Sequence, residues 1–479
     1  RMGARRTAAS ARSPREGRVT DRGARDVALR IFLAWDSSRH TADVLLDRLL
    51  ARAELPARDH DLVIELVRGV FRWRGRLDWQ LGALVDRPLT DLHPPILWIL
   101  RLGLYQLAHL DRIPAHAAVS SSVDLAKKYG HRGSAALVNA VLRHAPERIE
   151  ALVEPDAAED PVGHLAARTS HPHWILERWL KRFGFAGTLR LAARNNERPQ
   201  VTLRSLGDRA SAEDLIADLR ELGVQAVPGL YVPETVRIPG GWHPRLREIL
   251  EAGIAIVQDE GAALVALASR PVPGASVLDV CAAPGGKAIH FALLCGQANV
   301  VAADRSLERL RLVHPPAFFA ESVSFHFLVA DGRQPATRHK FSRVLVDAPC
   351  TNSGVLGRRP DAKWRREAAD LSRLSRLQGE ILDASRELVS VGGLLVYSTC
   401  SLESEENEDV IRAYLERHPS DTLLPAGEVL PEEVVRGDFL CTNPAKDPID
   451  GAFAAVIQPK TRSFPMIHPL KEVEPGESS

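Results

Sequence analysis

The sequence predicts a multidomain protein with an N-terminal all-α bundle, a small α+β subdomain and a C-terminal α/β domain built on a mostly parallel sheet. Three observations predict this: residues 26–148 show only helical periodicity, residues 199–270 mix strand-like runs with amphipathic helices, and residues 275–460 alternate short apolar runs with helices. At 479 residues the chain is also too long for one hydrophobic core. The predicted segments are an arm over 1–25, a helical domain over 26–148, a linker and subdomain over 149–270, the α/β domain over 271–462 and a tail over 463–479.

The helical prediction for residues 26–148 depends on the spacing of apolar residues. Pro94 and Pro95 mark the start of a helix in which Ile96, Ile99 and Leu100 begin an apolar stripe. Other apolar residues cover the remaining faces of this helix, so we expect it to be buried. Further stripes follow after Pro114, without strand-like alternation. A helical bundle fits this pattern.

Charge is unevenly distributed along the chain. Residues 1–150 carry 25 Lys and Arg against 17 Asp and Glu, whereas the remainder carries 37 against 44. This asymmetry indicates a basic domain that binds nucleic acid, although chance segregation of solvated charges is the alternative. Arg72, Arg74 and Arg76 surround Trp73 and are candidate phosphate contacts, or else a solvated helix end. The Arg-rich first 25 residues lack an apolar segment, so we expect a disordered arm rather than a secretory signal.

Composition excludes several classes of protein. No uncharged stretch reaches the roughly 20 residues of a membrane-spanning helix, so no membrane association is predicted. The five cysteines are irregularly spaced without a CxxC pair, which supports neither a metal site nor a disulfide framework. Free thiols suit a reducing cytoplasm. We further expect a monomer.

Two cysteines close apolar runs that are typical of buried parallel strands. Cys350 ends RVLVDAPC and Cys400 ends GGLLVYSTC. Ligands of open α/β sheets bind outside the carboxyl ends of the strands, so both thiols should face one crevice. A thiol there is a candidate nucleophile, although an isolated cysteine is more often a small buried hydrophobe. The residues alone do not rank the two thiols.

A glycine-containing turn follows the run SVLDV and precedes a helix. Small residues and free helix amides let a ligand approach the backbone closely, as in the nucleotide-binding turn of a Rossmann-like sheet. It matches neither the dinucleotide fingerprint nor the phosphate-binding loop of nucleotide triphosphatases. Acids lie at or near the ends of the following strands and suit an adenosine ligand and a substrate base, or else cap turns. The turn consists of Cys281, Ala282, Ala283, Pro284, Gly285, Gly286 and Lys287, and the acids are Asp304, Asp331 and Asp347.

Three strings in the predicted α/β domain resemble motifs of one enzyme family. VLDVCAAPGGK, DAPCTNSGVLGRRPDAKW and YSTCSLESEENE are similar to motifs of the RNA 5-methylcytosine methyltransferases of the RsmB/Sun family. Upstream, DHDLVIELVRGVFRWRGRLDWQL, LRLGLYQLAHLDRIPAHAAVSSSVDLAK and LVNAVLRH resemble the NusB-like RNA-binding domain of the bacterial 16S ribosomal RNA enzymes. The resemblance covers most of the chain.

The resemblance implies a Rossmann-like domain that uses S-adenosylmethionine. It implies that the turn 281–287, Asp304, Asp331 and Asp347 contact this cosubstrate. Cys400 would be the nucleophile that attacks carbon 6 of cytosine, and Cys350 would assist product release. In that scheme Lys287 supplies positive potential to the thiolate, and Asp347 hydrogen-bonds the cytosine ring edge. Cations after Cys350 are expected to grip the RNA backbone: Arg358, Arg359, Lys363 and Arg365.

Alternatives remain for the substrate and for the class of protein. The domain content favours 16S ribosomal RNA, but transfer RNA or another ribosomal site would suit the same chemistry. A catalytically silent RNA-binding or antitermination factor is the alternative of another class, against which the cysteines and the intact turn argue. The segment His314–Pro316 interrupts a helix that is usual in the family, which affects the expected adenine side of the pocket.

Overall fold

A computed structural model describes residues 23–207, 210–316, 319 and 323–460. The predicted tail and nearly all of the predicted basic arm lie outside the described residues. The chain forms two compact units, which divide between Val153 and Glu154. Within the described part of the chain, no helix combines the length and apolar character that a membrane span requires.

The first unit is all-helical, as predicted. Phe32 stacks on Trp98 at a ring-centroid distance of 4.6 Å, and Phe71 packs edge-on against both rings. Gly69 allows a close helix crossing, because a Cβ atom there would lie 2.0 Å from the Tyr105 ring. The helices are α1 (Ala24–Ser37), α2 (Ala42–Leu50), α3 (Ala57–Leu84), α4 (Pro94–His109), α5 (Ala115–Tyr129) and α6 (Ser134–Glu150).

The second unit begins with two helices and a small antiparallel sheet. Helix α7 (Pro161–Thr169) is followed by α8 (His173–Asn196), which kinks at Gly184. The sheet has the order β2-β3-β1-β4, and the apolar faces of two helices cover it, as predicted for the subdomain. The elements are β1 (Val201–Ser205), α9 (Ala212–Glu221), β2 (Val227–Pro228), β3 (Thr235–Ile238), α10 (Leu246–Glu251) and β4 (Ala255–Val257).

A nine-stranded sheet dominates the rest of the unit. Its main order is β11-β12-β13-β9-β8-β5-β6-β7, with β10 paired to β13; the strands from β9 to β7 run parallel, and β13 is antiparallel to β9. Its elements are α11 (Glu260–Ala268), β5 (Ser276–Asp279), α12 (Gly286–Cys295), β6 (Asn299–Asp304), α13 (Leu307–Leu310), β7 (Ser324–Val329), β8 (Phe341–Asp347), α14 (Ala368–Arg386), β9 (Val389–Thr399), α15 (Glu408–Arg417), β10 (Thr422–Leu424), β11 (Val435–Arg436), β12 (Phe439–Cys441) and β13 (Phe453–Gln458).

Helices cover both faces of this sheet, and alternate strand residues point to each face. Val277 packs with residues of α11 and α12, whereas Leu278 packs with residues of α14 and α15. The chain order reverses between β5 and its neighbour β8, which is the topological switch point of a doubly wound sheet. The carboxyl ends of β5, β6, β8 and β9 therefore meet at one edge, where the predicted site residues follow.

Candidate active site

The two cysteines of the predicted site touch. Strands β8 and β9 are parallel neighbours, with Asp347 opposite Ser398, so the residues that follow them lie side by side. The Sγ atoms of Cys350 and Cys400 are 3.3 Å apart. Cys350 is buried and Cys400 is partly exposed. The two thiols therefore lie side by side at this edge of the sheet, as expected from their places after two strand ends.

The environment makes the two thiols chemically different. The hydrogen bond from Cys350 lowers the pKa of Cys400, and the cations of Arg359 and Lys287 act in the same direction against the effect of burial. The same hydrogen bond, together with burial, raises the pKa of Cys350 well above its usual range. Cys400 is therefore the better thiolate and Cys350 the proton donor to it.

A buried polar network holds the loop after Cys350. Glu406 accepts hydrogen bonds from the backbone N–H and the hydroxyl of Thr351 and from the Gln378 side chain. Gln378 also donates to the Pro349 carbonyl at 2.9 Å. Burial raises the pKa of Glu406, although these donors oppose the shift. Glu406 was not predicted as a site residue, although it lies inside the string YSTCSLESEENE.

An ion pair lies beside the thiols. The Lys287 ammonium, at the start of α12, is 2.7 Å from Asp347 Oδ2, and the Ser398 hydroxyl donates to Asp347 Oδ1 at 2.8 Å. Burial alone would lower the pKa of Lys287, but the Asp347 carboxylate outweighs it and raises this pKa. The lysine thus stays charged, and its charge also favours the Cys400 thiolate.

The backbone of the turn at residues 281–287 is open at Gly286 and crowded at Gly285. Gly285 caps α12 with a φ of +102°, a conformation that favours glycine, and a Cβ atom there would meet Val313. At Gly286 the nearest atom to an added Cβ is 3.9 Å away, on the Gln258 side chain. Burial raises the pKa of Cys281, which therefore remains a thiol. The helix amides at this turn can thus be approached closely.

Two acids near the turn are buried. Asp304, at the end of β6, accepts from the Ser306 N–H and lies 3.2 Å from Arg309. Asp279, at the end of β5, was missed by the sequence analysis, although it obeys the same strand-end rule. Burial, with the Asp347 charge, raises the pKa of Asp279 to about 8. Its Oδ2 atom is buried without a hydrogen-bond partner.

Asp331 differs from these acids. It is more exposed and pairs with Arg333 at 2.7 Å, and its hydrogen bonds to Arg333 lower its pKa to about 2. The helix that follows β6 is a single turn, α13, and residues 311–316 are not helical. This agrees with the interruption expected from His314–Pro316.

Two of the cations predicted to grip RNA are instead engaged inside the protein. The Lys363 side chain is buried, and its ammonium bonds Asn196 Oδ1 at 2.9 Å and the Ser170 carbonyl. Arg358 joins Asp259 and Asp450, and it also donates to a backbone carbonyl. The prediction is wrong for both residues, because their side chains already donate to oxygen atoms of residues that are distant in sequence.

Other predicted contacts remain at or near the surface. Arg359 is exposed and Arg365 is half-buried. In the first unit, Arg72 is buried, so it is not a surface phosphate contact. Arg74 lies over Trp98 and close to Asp78, and burial lowers its pKa to about 10. The half-buried Arg76 lies over Trp79. Of the three arginines, Arg76 best keeps its predicted role.

The doubly wound sheet, with a turn and acids at its strand ends, defines the class of Rossmann-like nucleotide-binding domains. The family model described as 16S rRNA methyltransferase RsmB/F matches residues 264–458. The NusB family matches residues 22–147, and a ferredoxin-like domain of RsmF/B-like methyltransferases matches residues 171–242.

Curated relatives match over nearly the whole chain. The probable ribosomal RNA small subunit methyltransferase B of Bacillus subtilis (strain 168) is 33% identical, over 91% of this chain and 98% of its own length. Ribosomal RNA small subunit methyltransferase B of Citrobacter koseri is 35% identical, over 77% and 85%. The chain therefore belongs to the RsmB family of S-adenosylmethionine-dependent ribosomal RNA methyltransferases.

Solved structures share the fold. The crystal structure of PH0851 has a TM-score of 0.77 at 25% identity, covering 91% of this chain and 98% of that one. A methyltransferase homolog protein from Pyrococcus horikoshii has a TM-score of 0.51 at 26% identity, covering 61% of this chain and 97% of that one. The predicted fold class is thus confirmed.

Proposed function

We propose that this protein methylates carbon 5 of a cytosine in 16S ribosomal RNA, through a transient bond between Cys400 and carbon 6 of the base. The observation that carries the proposal is the contact of Cys350 and Cys400 at 3.3 Å, with the pKa of one thiol lowered and that of the other raised. Paired but unequal thiols suit a reaction that needs one nucleophile and one assisting group.

The residues at the strand ends fit S-adenosylmethionine. The buried Asp304 carboxylate suits the ribose hydroxyls, and the unpartnered oxygen of Asp279 marks a further polar position near the turn. The open backbone at Gly286 admits close approach of a ligand. We propose that the turn 281–287, Asp304, Asp331 and Asp347 hold the cosubstrate, which supplies an electrophilic methyl group to carbon 5.

The chain's own residues would activate the base in sequence. The Cys400 thiolate adds to carbon 6, which breaks the aromaticity of the ring and places electron density on carbon 5. Asp347, fixed by Lys287 and Ser398, is the group proposed to hydrogen-bond the ring edge. Cys350, adjacent to the nucleophile, would then assist loss of the carbon-5 proton and release of the product.

Ribosomal RNA of the small subunit is the proposed substrate, because the relatives carry that substrate in their names. The target base would be extruded if it is stacked or paired, at a cost of a few kcal/mol. We propose that Arg359, Arg365 and the helical unit bind the surrounding RNA. Deleting residues 1–153 should weaken RNA binding and reduce its salt dependence, and an unchanged affinity would reject this role.

A cytoplasmic location and a monomeric state complete the proposal. All five cysteines are free, which suits a reducing compartment. Light scattering of the purified protein tests the monomer, since a measured mass of twice 52.5 kDa would contradict it.

Methyl transfer to purified RNAs tests the proposed function. The protein with labelled S-adenosylmethionine should modify unmethylated 16S ribosomal RNA but not transfer RNA. Cys400→Ala should abolish transfer, whereas Cys295→Ala, a matched change at the end of α12 opposite Lys287, should retain it. Labelling of transfer RNA alone would show that transfer RNA, not 16S ribosomal RNA, is the substrate. Normal turnover by Cys400→Ala would refute the assignment of Cys400 as the nucleophile. Absence of transfer to every RNA would favour the non-catalytic alternative.

A further inference from the structure

Asn352 occupies an unusual backbone conformation beside the two thiols. Its φ is +64°, in the left-handed region that favours glycine. Asparagine tolerates this region better than most residues, but it still costs more there than glycine would. The conformation carries its side chain to the Cys400 sulfur, which suggests that the side chain has a use.

The contacts of Asn352 fix the orientation of its amide. The Nδ2 group donates to the Cys350 carbonyl at 3.4 Å, and that carbonyl can only accept. The Oδ1 atom must therefore be the one that faces the sulfurs, at 3.1 Å from Cys400 Sγ and 3.9 Å from Cys350 Sγ. An amide oxygen is solely an acceptor, so at the shorter distance it receives the Cys400 S–H.

We propose that Asn352 is a further catalytic residue, whose carboxamide oxygen accepts a hydrogen bond from the Cys400 thiol and aims its sulfur before the RNA base arrives. The proposal rests on the proposed role of Cys400 as the nucleophile. In the resting enzyme Asn352 holds the sulfur beside Cys350, and the thiol gives up this hydrogen bond when it becomes the attacking thiolate.

The proposal predicts a specific effect on the protonation of Cys400. A neutral oxygen acceptor stabilises the thiol and disfavours the thiolate, so Asn352 opposes the groups that favour ionisation. Those groups are the Cys350 thiol and the cations of Arg359 and Lys287, while burial and the Asp347 carboxylate act on the same side as Asn352. Removing the oxygen should therefore make Cys400 ionise more readily.

Two substitutions shift this balance in opposite directions. Asn352→Gly removes the side chain and suits the positive φ, so the fold is retained. Asn352→Asp keeps the shape but places a carboxylate against the sulfur. We expect Asn352→Gly to raise the alkylation rate of Cys400 at pH 7 about threefold, the scale of one weak hydrogen bond. Asn352→Asp should lower that rate about tenfold or more.

The assay is the rate of alkylation by iodoacetamide from pH 6 to pH 10, read on the Cys400 peptide by mass spectrometry in the RNA-free protein. The pH midpoint reports the thiol itself, so it separates ionisation from access. A midpoint in Asn352→Gly equal to or above that of the unaltered protein would overturn the proposal. So would an Asn352→Asp midpoint that fails to rise.

Methyl transfer adds a second, separate readout. In the pH profile of kcat/KM, the lower-pH limb should move to lower pH in Asn352→Gly and to higher pH in Asn352→Asp. A merely structural role would lower kcat in both variants without shifting the limb along the pH axis. The alkylation assay requires neither RNA nor cosubstrate. Failure of the proposed function would therefore appear as an inactive unaltered protein, and failure of the Asn352 proposal as unmoved midpoints.

Discussion

Arg358→Leu should destabilise the second unit rather than weaken RNA binding directly. The Arg358 guanidinium donates to Asp450 at 2.5 Å, to Asp259 at 2.7 Å and to the Gln200 carbonyl at 2.7 Å. Asp259 also caps α11 and accepts from the Asp450 N–H. Leucine would fill part of the space but leave two carboxylates facing each other without a cation.

The expected loss is about 3 kcal/mol. Removing one partner of a buried ion pair costs about 3–5 kcal/mol, and the lower end applies because the Arg358 side chain is 27% exposed. Unfolding entropy of about 2.1 cal/mol/K per residue over roughly 300 residues amounts to about 0.6 kcal/mol/K. The Tm of this unit should therefore fall by about 5 °C.

The loss should grow with pH. Burial and the Asp259 charge raise the pKa of Asp450 from 3.8 to about 7, and Arg358 opposes this rise. Between these values the folded state binds more protons than the unfolded state, so the free energy of unfolding falls as pH rises. Without Arg358 the pKa of Asp450 rises further. The variant should therefore lose more stability at pH 8 than at pH 5.

Differential scanning calorimetry at both pH values measures this, with Arg359→Leu as the matched control. Arg359 is adjacent and exposed, so its removal should leave Tm nearly unchanged while weakening RNA binding. Equal losses of Tm for Arg358→Leu at pH 5 and pH 8, or an equal loss for Arg359→Leu, would refute the reasoning.

Three further predictions concern the site itself. Lys287→Met removes a cation that favours the Cys400 thiolate, so the lower-pH limb of kcat/KM should move up by about one pH unit; an unmoved limb would contradict this. Glu406→Leu removes the acceptor that three buried donors share and should cost about 3 kcal/mol in denaturant unfolding, whereas Glu406→Gln, which keeps an acceptor, should cost less. Asp304→Asn should weaken S-adenosylmethionine binding about tenfold in calorimetry, and Asp331→Asn, whose carboxylate is exposed and paired with Arg333, should weaken it less; the reverse order would count against the assignment.

The sequence predicted the strands and their ends because both follow from local pattern. Short apolar runs that alternate with helices indicate a parallel sheet, and Cys350, Cys400 and Asp304 follow directly from where those runs end. That β8 and β9 are neighbours depends on the strand order, which periodicity does not encode. The sequence therefore places both thiols at strand ends, but it does not show that they are in contact.

The errors concern side chains whose partners are distant in sequence. Arg358 and Lys363 belong to a cationic run whose pattern is typical of a solvated surface. In the fold, however, Arg358 donates to Asp450 and Lys363 donates to Asn196. A single sequence carries no sign of such pairs. Asn352 was missed for a different reason, since its importance depends on a positive φ that only the structure reveals.

The most direct test is to identify the atom that bonds the RNA. Cys350→Ala should retain the nucleophile but release the product slowly, so denaturing gels should show a protein–RNA species after incubation with substrate RNA and cosubstrate. Mass spectrometry of the digested species should locate a methylated cytosine on the peptide that contains Cys400. A cytosine attached to any other residue, or a fully active Cys350→Ala variant that never forms the species, would contradict the account.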